Sequence, residues 1–318
     1  MYPQSDGKEQ VSFDLSGPLA SERSMRVVEA LLHQDTLNET GALLDIGCGN
    51  GNMLRSFHRM FPQWSLSGLE WDEQHAEAIR ALPQVGNFHT DLKNVGTERY
   101  DLISMIHFLE HIPNPSEYLR TLSTYLHDNG RVFIQVPNLG ENPFDLAIFD
   151  HCSHFTADSI TEILGRAGFV IEWISDRVVF KELSVLCRLD SPETTARRAG
   201  ADNALLIAES ALAWLHEFAE CAKSEVSSGP FAIFGTAIGA SWAVSELGRL
   251  PDYFIDEDVS RIGNWHLGQP IISVDSASSG VKVLVPLAPE AARNVAERLR
   301  SHGLQVIHPG LAKAQNSV

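Results

Sequence analysis

Cysteine is scarce in this sequence, with four residues in 318, and long hydrophobic runs are absent. The cysteines are scattered without the paired spacing of a zinc site, so we expect reduced thiols in a reducing compartment. No apolar stretch is long enough to cross a bilayer, and residues 1–20 lack the charged and apolar regions of a signal peptide. We therefore expect a cytoplasmic protein with no membrane partner.

Basic residues are also few: 24 Lys and Arg stand against 41 Asp and Glu, which gives a formal net charge of −17. Nucleic-acid binding depends on the neutralisation of phosphates by Lys and Arg. No block of basic residues offers a local exception to this balance. The charge therefore argues against a nucleic-acid partner and favours a small-molecule substrate.

The first half of the chain alternates strand-like with helix-like segments. This alternation is typical of βαβ units, in which helices cover both faces of a mostly parallel sheet. Two later segments, VIEWI and FKELSVLCRL, are suited to close the sheet as an antiparallel edge pair. The predicted strands are 42–47, 64–70, 87–91, 100–106 and 131–137, and the predicted helices are 20–33, 52–61, 72–81, 115–127 and 159–169.

Beyond residue 190 the pattern changes, and the length of the chain also suggests a second domain. Residues 191–228 show mostly one long helical pattern, which we interpret as a connector. We predict an α/β fold with a Rossmann-like domain over 1–190 and a smaller Rossmann-like α/β domain over 229–318. In the second domain the predicted strands are 231–235, 252–256, 282–286 and 305–308, and the predicted helices are 238–248 and 289–301.

A glycine-rich loop follows the first strand, in LLDIGCGNGN (43–52), with Gly47, Gly49 and Gly51 at alternate positions. Glycines permit positive φ and let a ligand approach the backbone closely, and the helix start that follows presents free N–H groups and a partial positive charge. A dinucleotide site would show G-x-G-x-x-G to seat a pyrophosphate. Here Asp45 precedes the loop, and this acid would repel a pyrophosphate but suits a ligand that carries an ammonium group.

Two further acids stand at the ends of the next strands. Glu70 ends the second strand and is placed to accept both hydroxyls of a ribose. Asp91 ends the third strand and could accept a hydrogen bond from an adenine amino group. The ligand thus has a ribose, an adenine and a cationic amino-acid end but no phosphates, and S-adenosylmethionine has these parts. The alternative is a sheet whose glycine turns are only turns.

The motifs LLDIGCGNGNML, LSGLEWDE, FHTDL, YDLISMIHFLEHIPNP and GRVFIQVPN resemble, in this order, those of class I S-adenosylmethionine-dependent methyltransferases. The resemblance covers roughly residues 24–186. It implies an enzyme whose glycine loop holds the methionine end of the cofactor, with Glu70 at the ribose and Asp91 at the adenine. The candidate cofactor-binding residues are Asp45, Gly47, Gly49, Gly51, Glu70, Asp91 and Met105.

Histidines follow the fourth strand in HFLEHIPNP. His107 and His111 are four residues apart, so a helix would place them on one face, as metal ligands can be. Pro113 and Pro115 indicate that any helix here is short. We therefore favour an active-site wall or a structural role and expect no metal site.

A second histidine-bearing segment, FDHCSHFTADSITEILGRAGF (149–169), resembles the EHxxYFS segment of bacterial sugar methyltransferases, especially those that methylate carbon. His151 matches the histidine that is a candidate base in that family, while Asp150 replaces its Glu and His154 its Tyr. Imidazole suits this role because its ordinary pKa lies near neutrality. We predict His151, and next His154, as the catalytic base. The alternatives are backbone contacts at a helix start, or a metal site that includes Cys152, which we disfavour because adjacent residues rarely converge on one ion.

The second domain opens with Gly235-x-Ala237-x-x-Ala240, a degraded dinucleotide fingerprint, and Asp256 follows at the position of a ribose-binding acid. Ala237 stands where a pyrophosphate needs glycine, which counts against NAD. The segments FGTAIGA, FIDED and LGQPII resemble the C-terminal domain of sugar C-methyltransferases. The resemblance implies that this domain helps to seat a sugar or nucleotide substrate; the alternative is a structural or dimerising domain.

Sugar C-methyltransferases of this type begin with a cysteine-rich zinc module, which this sequence lacks. An oxygen or nitrogen of a sugar, a glycan or another small metabolite is therefore also an acceptor to test. We predict a methyltransferase that acts on a small, polar, sugar-like acceptor and leave a homodimer open. The alternatives are a non-catalytic scaffold that binds S-adenosylmethionine and a methyltransferase of a non-sugar metabolite.

Overall fold

The computed structural model of the protein describes residues 11–14, 17–34, 36–83, 85–190 and 201–312. Residues 191–200, the start of the predicted connector, lie outside these ranges. Over the residues described, no helix has the length and apolar character that a bilayer span requires.

The chain divides into two compact units. The first comprises Met1–Asn138 and Asp150–Leu205, and the second comprises Leu139–Phe149 and Leu206–Val318. This division differs from the predicted bounds in two respects: residues 139–149 group with the second unit, and so does most of the helix that we interpreted as a connector. The predicted domain bounds stay a prediction.

The first unit contains a seven-stranded sheet with helices on both faces. A short hairpin, β1 (Val11–Asp14) and β2 (Gly17–Glu22), precedes it. The strands of the sheet are β3 (Ala42–Ile46), β4 (Ser65–Leu69), β5 (Val85–His89), β6 (Tyr100–Ile106), β7 (Leu126–Pro137), β8 (Phe169–Ser175) and β9 (Glu182–Leu189). The helices are α1 (Arg23–Leu32), α2 (Asn52–Met60), α3 (Ala76–Arg80), α4 (Pro115–Leu122) and α5 (Ala157–Arg166).

The strand order is β5-β4-β3-β6-β7-β9-β8, and only β9 runs antiparallel to its neighbours. The chain first builds outward from β3 through β4 to β5, and then returns to add β6 on the other side of β3. Ligands of open parallel sheets bind at the carboxyl ends of the strands where the order reverses, here β3 and β6. The predicted Rossmann-like methyltransferase fold with an antiparallel edge pair is confirmed.

Both faces of this sheet are covered by apolar side chains, as a parallel sheet requires. On one face α1 contributes Val27 and Val28 and α2 contributes Leu54 and Phe57, all without solvent exposure. On the other face α4 and α5 pack Leu119, Leu122, Ile160 and Leu164 against the central strands. The strands between these layers therefore read as nearly continuous hydrophobic runs.

The second unit has a smaller sheet in the order β12-β13-β11-β10-β14-β15, in which only β12 is antiparallel. Its strands are β10 (Phe231–Phe234), β11 (Tyr253–Ile255), β12 (Trp265–His266), β13 (Gln269–Ile272), β14 (Lys282–Leu284) and β15 (Gln305–Ile307). Its helices are α6 (Ala201–Glu225), of which residues from 206 onward belong to this unit, α7 (Ile238–Leu247), α8 (Pro289–Ser301) and α9 (Pro309–Ala312).

Aromatic side chains fill one face of the second unit. Phe144, from the 139–149 segment, packs edge-on against Trp214, Phe218 and Trp242, with ring centroids 5.4, 6.0 and 5.4 Å away. Phe218 of α6 is fully buried in the cluster that covers β10. The helix predicted as a connector is therefore a core element of the second unit.

Several elements differ from the predicted pattern. The hairpin β1–β2 and the pair β12–β13 were not predicted, because short strands carry little periodic signal. The predicted helix over 72–81 begins as a 3-10 turn at Glu73–His75, and α3 covers only its second half. Strand β7 starts earlier than predicted, since Leu126 pairs with Tyr100 before the register shifts.

Gly239 of α7 lies close to the backbone of Pro286. A Cβ at this position would lie 2.4 Å from the Pro286 carbonyl oxygen, so we expect Gly239→Ala to lower the free energy of unfolding by ~1–3 kcal/mol, as overpacking does. Denaturation followed by Trp fluorescence measures this. Gly165→Ala in α5 is the matched control, since its Cβ meets open space and should be neutral or stabilising. Equal effects of the two changes would show that the contact is unimportant.

Candidate active site

The glycine loop joins β3 to α2 at the point where the strand order reverses. Gly47, Gly49 and Gly51 all have positive φ, of 73°, 49° and 80°, a conformation that glycine adopts without strain. A Cβ at Gly47 would also lie 2.8 Å from the Phe108 ring, whereas at Gly49 it would meet nothing within 4 Å among the described residues. The alternating glycines are therefore required by the backbone, and the middle one leaves the loop open to a ligand.

Asp45 lies directly below this loop, in β3, with 2% of its surface exposed. The Ser104 hydroxyl of β6 donates to Asp45 Oδ1 over 2.7 Å, because the two residues are register partners in the parallel pair. Burial raises the pKa of the Asp45 carboxyl to about 7; the Ser104 hydrogen bond lowers it in part, and the nearby Glu70 carboxylate raises it. A cationic group at the loop would favour the charged form.

Glu70 follows β4 and fastens the glycine loop. Its Oε2 accepts from the Gly49 backbone N–H over 3.0 Å, and its Oε1 accepts from the Trp71 N–H over 3.0 Å. Glu70 is half-buried, and a carboxylate has further lone pairs for other donors. Asp45, the loop and Glu70 are thus brought together at one end of the sheet.

The two remaining cofactor candidates have different surroundings. Asp91 is exposed, and its Oδ1 accepts from the Lys93 N–H over 2.8 Å at the start of a 3-10 turn. Met105 is fully buried in the core that α4 and α5 cover. Strand alternation explains this, because Ser104 points to Asp45 and its neighbour must point to the other face. The burial of Met105 gives no support to a contact with the cofactor.

His107, just beyond β6, is held between two carboxylates. Its φ of 50° is unusual for a residue with a side chain. Its Nδ1 lies 2.9 Å from Glu110 Oε1 and its Nε2 lies 2.9 Å from Glu182 Oε1, while Arg23 Nη2 lies 2.6 Å from Glu182 Oε2. Burial and Arg23 lower the pKa of His107, but Glu182 and Glu110 outweigh them and raise it to about 9. His107 is therefore an imidazolium that donates from both nitrogens.

His111 and His107 have different partners. Residues 109–111 form a 3-10 turn, and His111 Nδ1 lies 3.1 Å from the Asp150 carbonyl oxygen. The His111 ring packs edge-on against His151, with centroids 4.9 Å apart. His111 therefore belongs with the loop that starts at residue 150 rather than with His107.

The loop that carries His151 and His154 is fixed to the turn at Glu110. The backbone N–H groups of Cys152 and Ser153 both donate to the Glu110 carbonyl, over 2.7 and 3.1 Å. The rings of His151 and His154 lie 6.5 Å apart. The start of α5 is capped by Thr156 and Ser159.

In the second unit, side chains around the degraded dinucleotide fingerprint contact one another. Gly235 has φ of 79° at the end of β10. Asp256, 8% exposed, accepts from the Thr236 hydroxyl over 3.1 Å and lies 3.5 Å from Arg261 Nη1. The Asp256 carboxylate is therefore held by side chains of its own loop.

Residues 20–172 match the family model of a methyltransferase domain. This segment carries the glycine loop, Glu70 and the histidine loop. The match and the fold of the first unit are both typical of class I S-adenosylmethionine-dependent methyltransferase domains. The predicted enzyme class and cofactor are confirmed for this domain.

Individual relatives match part of the chain. Trans-aconitate 2-methyltransferase of Escherichia coli is 31% identical over 121 residues, which are 37% of this chain and 48% of that protein. Ubiquinone biosynthesis O-methyltransferase of Aeromonas salmonicida is 27% identical over 104 residues, 30% and 43% of the two chains. The chain thus spans about half the length of the curated relatives it matches. A solved S-adenosylmethionine-dependent methyltransferase from Clostridium acetobutylicum has a TM-score of 0.44 at 11% identity, over 53% of this chain and 92% of that one.

The buried carboxyl of Asp45 should make stability depend on pH. Its pKa is about 7 in the folded protein and near 3.9 in an unfolded chain, so the unfolded state binds fewer protons between these values. Stability should fall as pH rises from about 4 to 7, and Asp45→Asn should remove this contribution, on the order of 4 kcal/mol. Denaturant titration at several pH values measures the difference. The exposed Asp176→Asn is the control; a wild-type pH slope in Asp45→Asn would contradict the assignment.

Proposed function

We propose that the protein is a methyltransferase that transfers the methyl group of S-adenosylmethionine to a small, polar, sugar-like acceptor. The observation that carries the proposal is the buried Asp45 carboxyl beneath an open glycine loop that Glu70 fastens. A carboxyl with a pKa of about 7 is a costly feature for a sheet that only needs to pack. A ligand with an ammonium group explains it.

We assign the parts of the cofactor to three carboxylates and the loop. Asp45, oriented by Ser104, takes the ammonium group, and the backbone of the glycine loop takes the methionine chain. Glu70 accepts from the ribose hydroxyls with the lone pairs that Gly49 and Trp71 leave, and Asp91 accepts from the adenine amino group. This arrangement contains no pyrophosphate site, because the Asp45 carboxylate below the loop would repel a pyrophosphate.

The transfer is a direct displacement at the methyl carbon. A lone pair of the acceptor oxygen or nitrogen forms the new bond to carbon, the C–S bond breaks, and its electron pair stays on sulfur. Since the sulfonium is already reactive, the protein mainly aligns the acceptor and removes its proton. We assign the proton to His151, whose loop is fixed to Glu110, and next to His154.

The sugar acceptor rests on the resemblance of the histidine loop and of the second unit to sugar methyltransferases. The names of the relatives above refer to trans-aconitate and ubiquinone biosynthesis, so acceptors outside the sugars belong in the same test. The roles of the second unit, as a substrate seat or a dimerising module, stay predictions, as does the absence of a nucleic-acid partner.

The proposed function is tested with S-adenosylmethionine carrying a ¹³C-methyl group and a panel of acceptors. The panel contains 4-keto-6-deoxy and amino nucleotide sugars, free glycans, polycarboxylic acids and phenols. We expect a new methyl signal by carbon NMR, whose chemical shift distinguishes C-, N- and O-methyl products. Cofactor binding without a signal from any acceptor would favour the non-catalytic scaffold.

The Glu70 carboxylate should contribute to the affinity for S-adenosylmethionine. We expect Glu70→Ala to raise the Kd for S-adenosylmethionine ~10–100-fold, because hydrogen bonds to a charged group are worth about 1.5–3 kcal/mol. Calorimetric titration measures the change. The exposed neighbour Glu73→Gln is the control and should bind as the wild type does. An unchanged Kd in Glu70→Ala would refute the placement of the ribose.

The His151 side chain should contribute to the turnover rate and not to the affinity for the cofactor. We expect His151→Gln to lower kcat by ~10²–10⁴-fold, the usual contribution of a positioned base, with the Kd for the cofactor unchanged. Turnover of the labelled cofactor with the best acceptor of the panel measures this. The exposed His127→Gln controls for loss of a histidine as such. Wild-type turnover in His151→Gln would remove His151 from the reaction and leave His154→Gln as the next variant.

A further inference from the structure

Three potential metal ligands meet at the start of the histidine loop. One ligand atom each of Glu110, His111 and His151 lies within 4.8 Å of the other two. The three come from two segments, the 3-10 turn after β6 and the loop before α5, which hydrogen bonds hold together. Since its residues come from two segments, this cluster avoids the objection to a metal site built only from neighbouring residues of the histidine loop.

The carboxylate of Glu110 needs a partner that the protein does not supply. The side chain has no exposed surface. Its Oε1 lies 2.9 Å from His107 Nδ1, while Oε2 is buried and has no hydrogen-bond partner in the part of the chain that the structure describes. A buried polar atom without a partner costs about 1–3 kcal/mol, more when charged. A cation next to Oε2 would remove this cost.

His111 is oriented as metal ligands usually are. A carbonyl oxygen can only accept, so the 3.1 Å contact with Asp150 means that Nδ1 carries the proton. Nε2 of a neutral imidazole then keeps its lone pair. Metal-binding histidines typically donate their other ring N–H to a carboxylate or a backbone carbonyl. Asp150 offers both, since its carboxylate Oδ2 also lies 3.5 Å from His111 Nδ1.

We propose that Glu110, His111 and His151 bind one divalent first-row transition-metal ion. Two imidazoles and a carboxylate suit Zn²⁺, Co²⁺, Mn²⁺ or Fe²⁺ better than Mg²⁺ or Ca²⁺, which prefer oxygen ligands only. Zinc bonds of about 2.0–2.1 Å place tetrahedral ligand atoms ~3.3 Å apart, so the side chains need only small rotations to close on the ion. Three protein ligands leave at least one position open for water or an acceptor oxygen.

This site goes beyond the proposed methyl transfer, since its geometry stands without cofactor or acceptor. His107 gains a role, as it orients the Glu110 carboxylate from behind. A bound ion would itself acidify a hydroxyl that coordinates to it. A His151 imidazole whose lone pair binds the ion cannot also take the acceptor proton, so in the metal-bound protein this role passes to the next candidate, His154. His151 is then tested in two ways, by metal affinity and by turnover.

The test is a titration of the full chain, stripped with a chelator, with Co²⁺. We expect one equivalent to bind with visible d–d absorption and without a thiolate charge-transfer band. Glu110→Gln, His111→Gln and His151→Gln should each raise the Kd for Co²⁺ at least ~100-fold, since even outer partners of a metal site contribute 10–100-fold. Cys152→Ser, in the same loop, and the remote His127→Gln should bind as the wild type does.

The proposal is overturned if the wild type shows no saturable Co²⁺ binding, or if the ligand variants bind as tightly as the controls. Should Glu110→Gln fail to fold, His111→Gln and His151→Gln decide, since both side chains are only partly buried. Neither cofactor nor acceptor enters this titration. Metal binding without methyl transfer would thus support the site and count against the proposed function. Methyl transfer without metal binding would support the proposed function and overturn the metal site.

Discussion

The hydrogen bond between Ser104 and the buried Asp45 carboxyl is the constraint on which the rest of the site depends. It needs β3 and β6 side by side in one register, and the return of the chain from β5 to β6 creates that neighbourhood. Both strands end at the same edge, so the glycine loop, the His107 turn and the histidine loop gather there. Glu70 then fixes the loop from β4. A slip of one residue in β6 would turn Ser104 away and bring an apolar side chain against the carboxyl.

Much of this could be predicted from the sequence, because the signals are local. The alternation of strands and helices, the spacing of Gly47, Gly49 and Gly51, and the acid at the end of each early strand lie within short segments. Positive φ at all three glycines is a conformation that the absence of side chains there permits. Where buried strands are long and apolar, as in β6, the predicted bounds match the structure.

What could not be predicted depends on contacts between distant segments. The partners of His107 include Glu182 and, through it, Arg23, and neither shows any pattern that points to the other. Ser104 could have been suspected only as a polar residue in a buried strand. Met105 was assigned from its place in a motif, while strand alternation puts its side chain in the core. The link between the Glu110 turn and the loop at Asp150 likewise appears only in three dimensions.

The membership of residues 139–149 in the second unit has a consequence for how this protein can be dissected. The chain leaves the first unit after Asn138, returns at Asp150 and leaves again after Leu205. No single cut yields two complete halves: a fragment that starts near residue 200 lacks Phe144, the ring on which Trp214, Phe218 and Trp242 converge. The two units are therefore not modules that a single crossover could exchange whole.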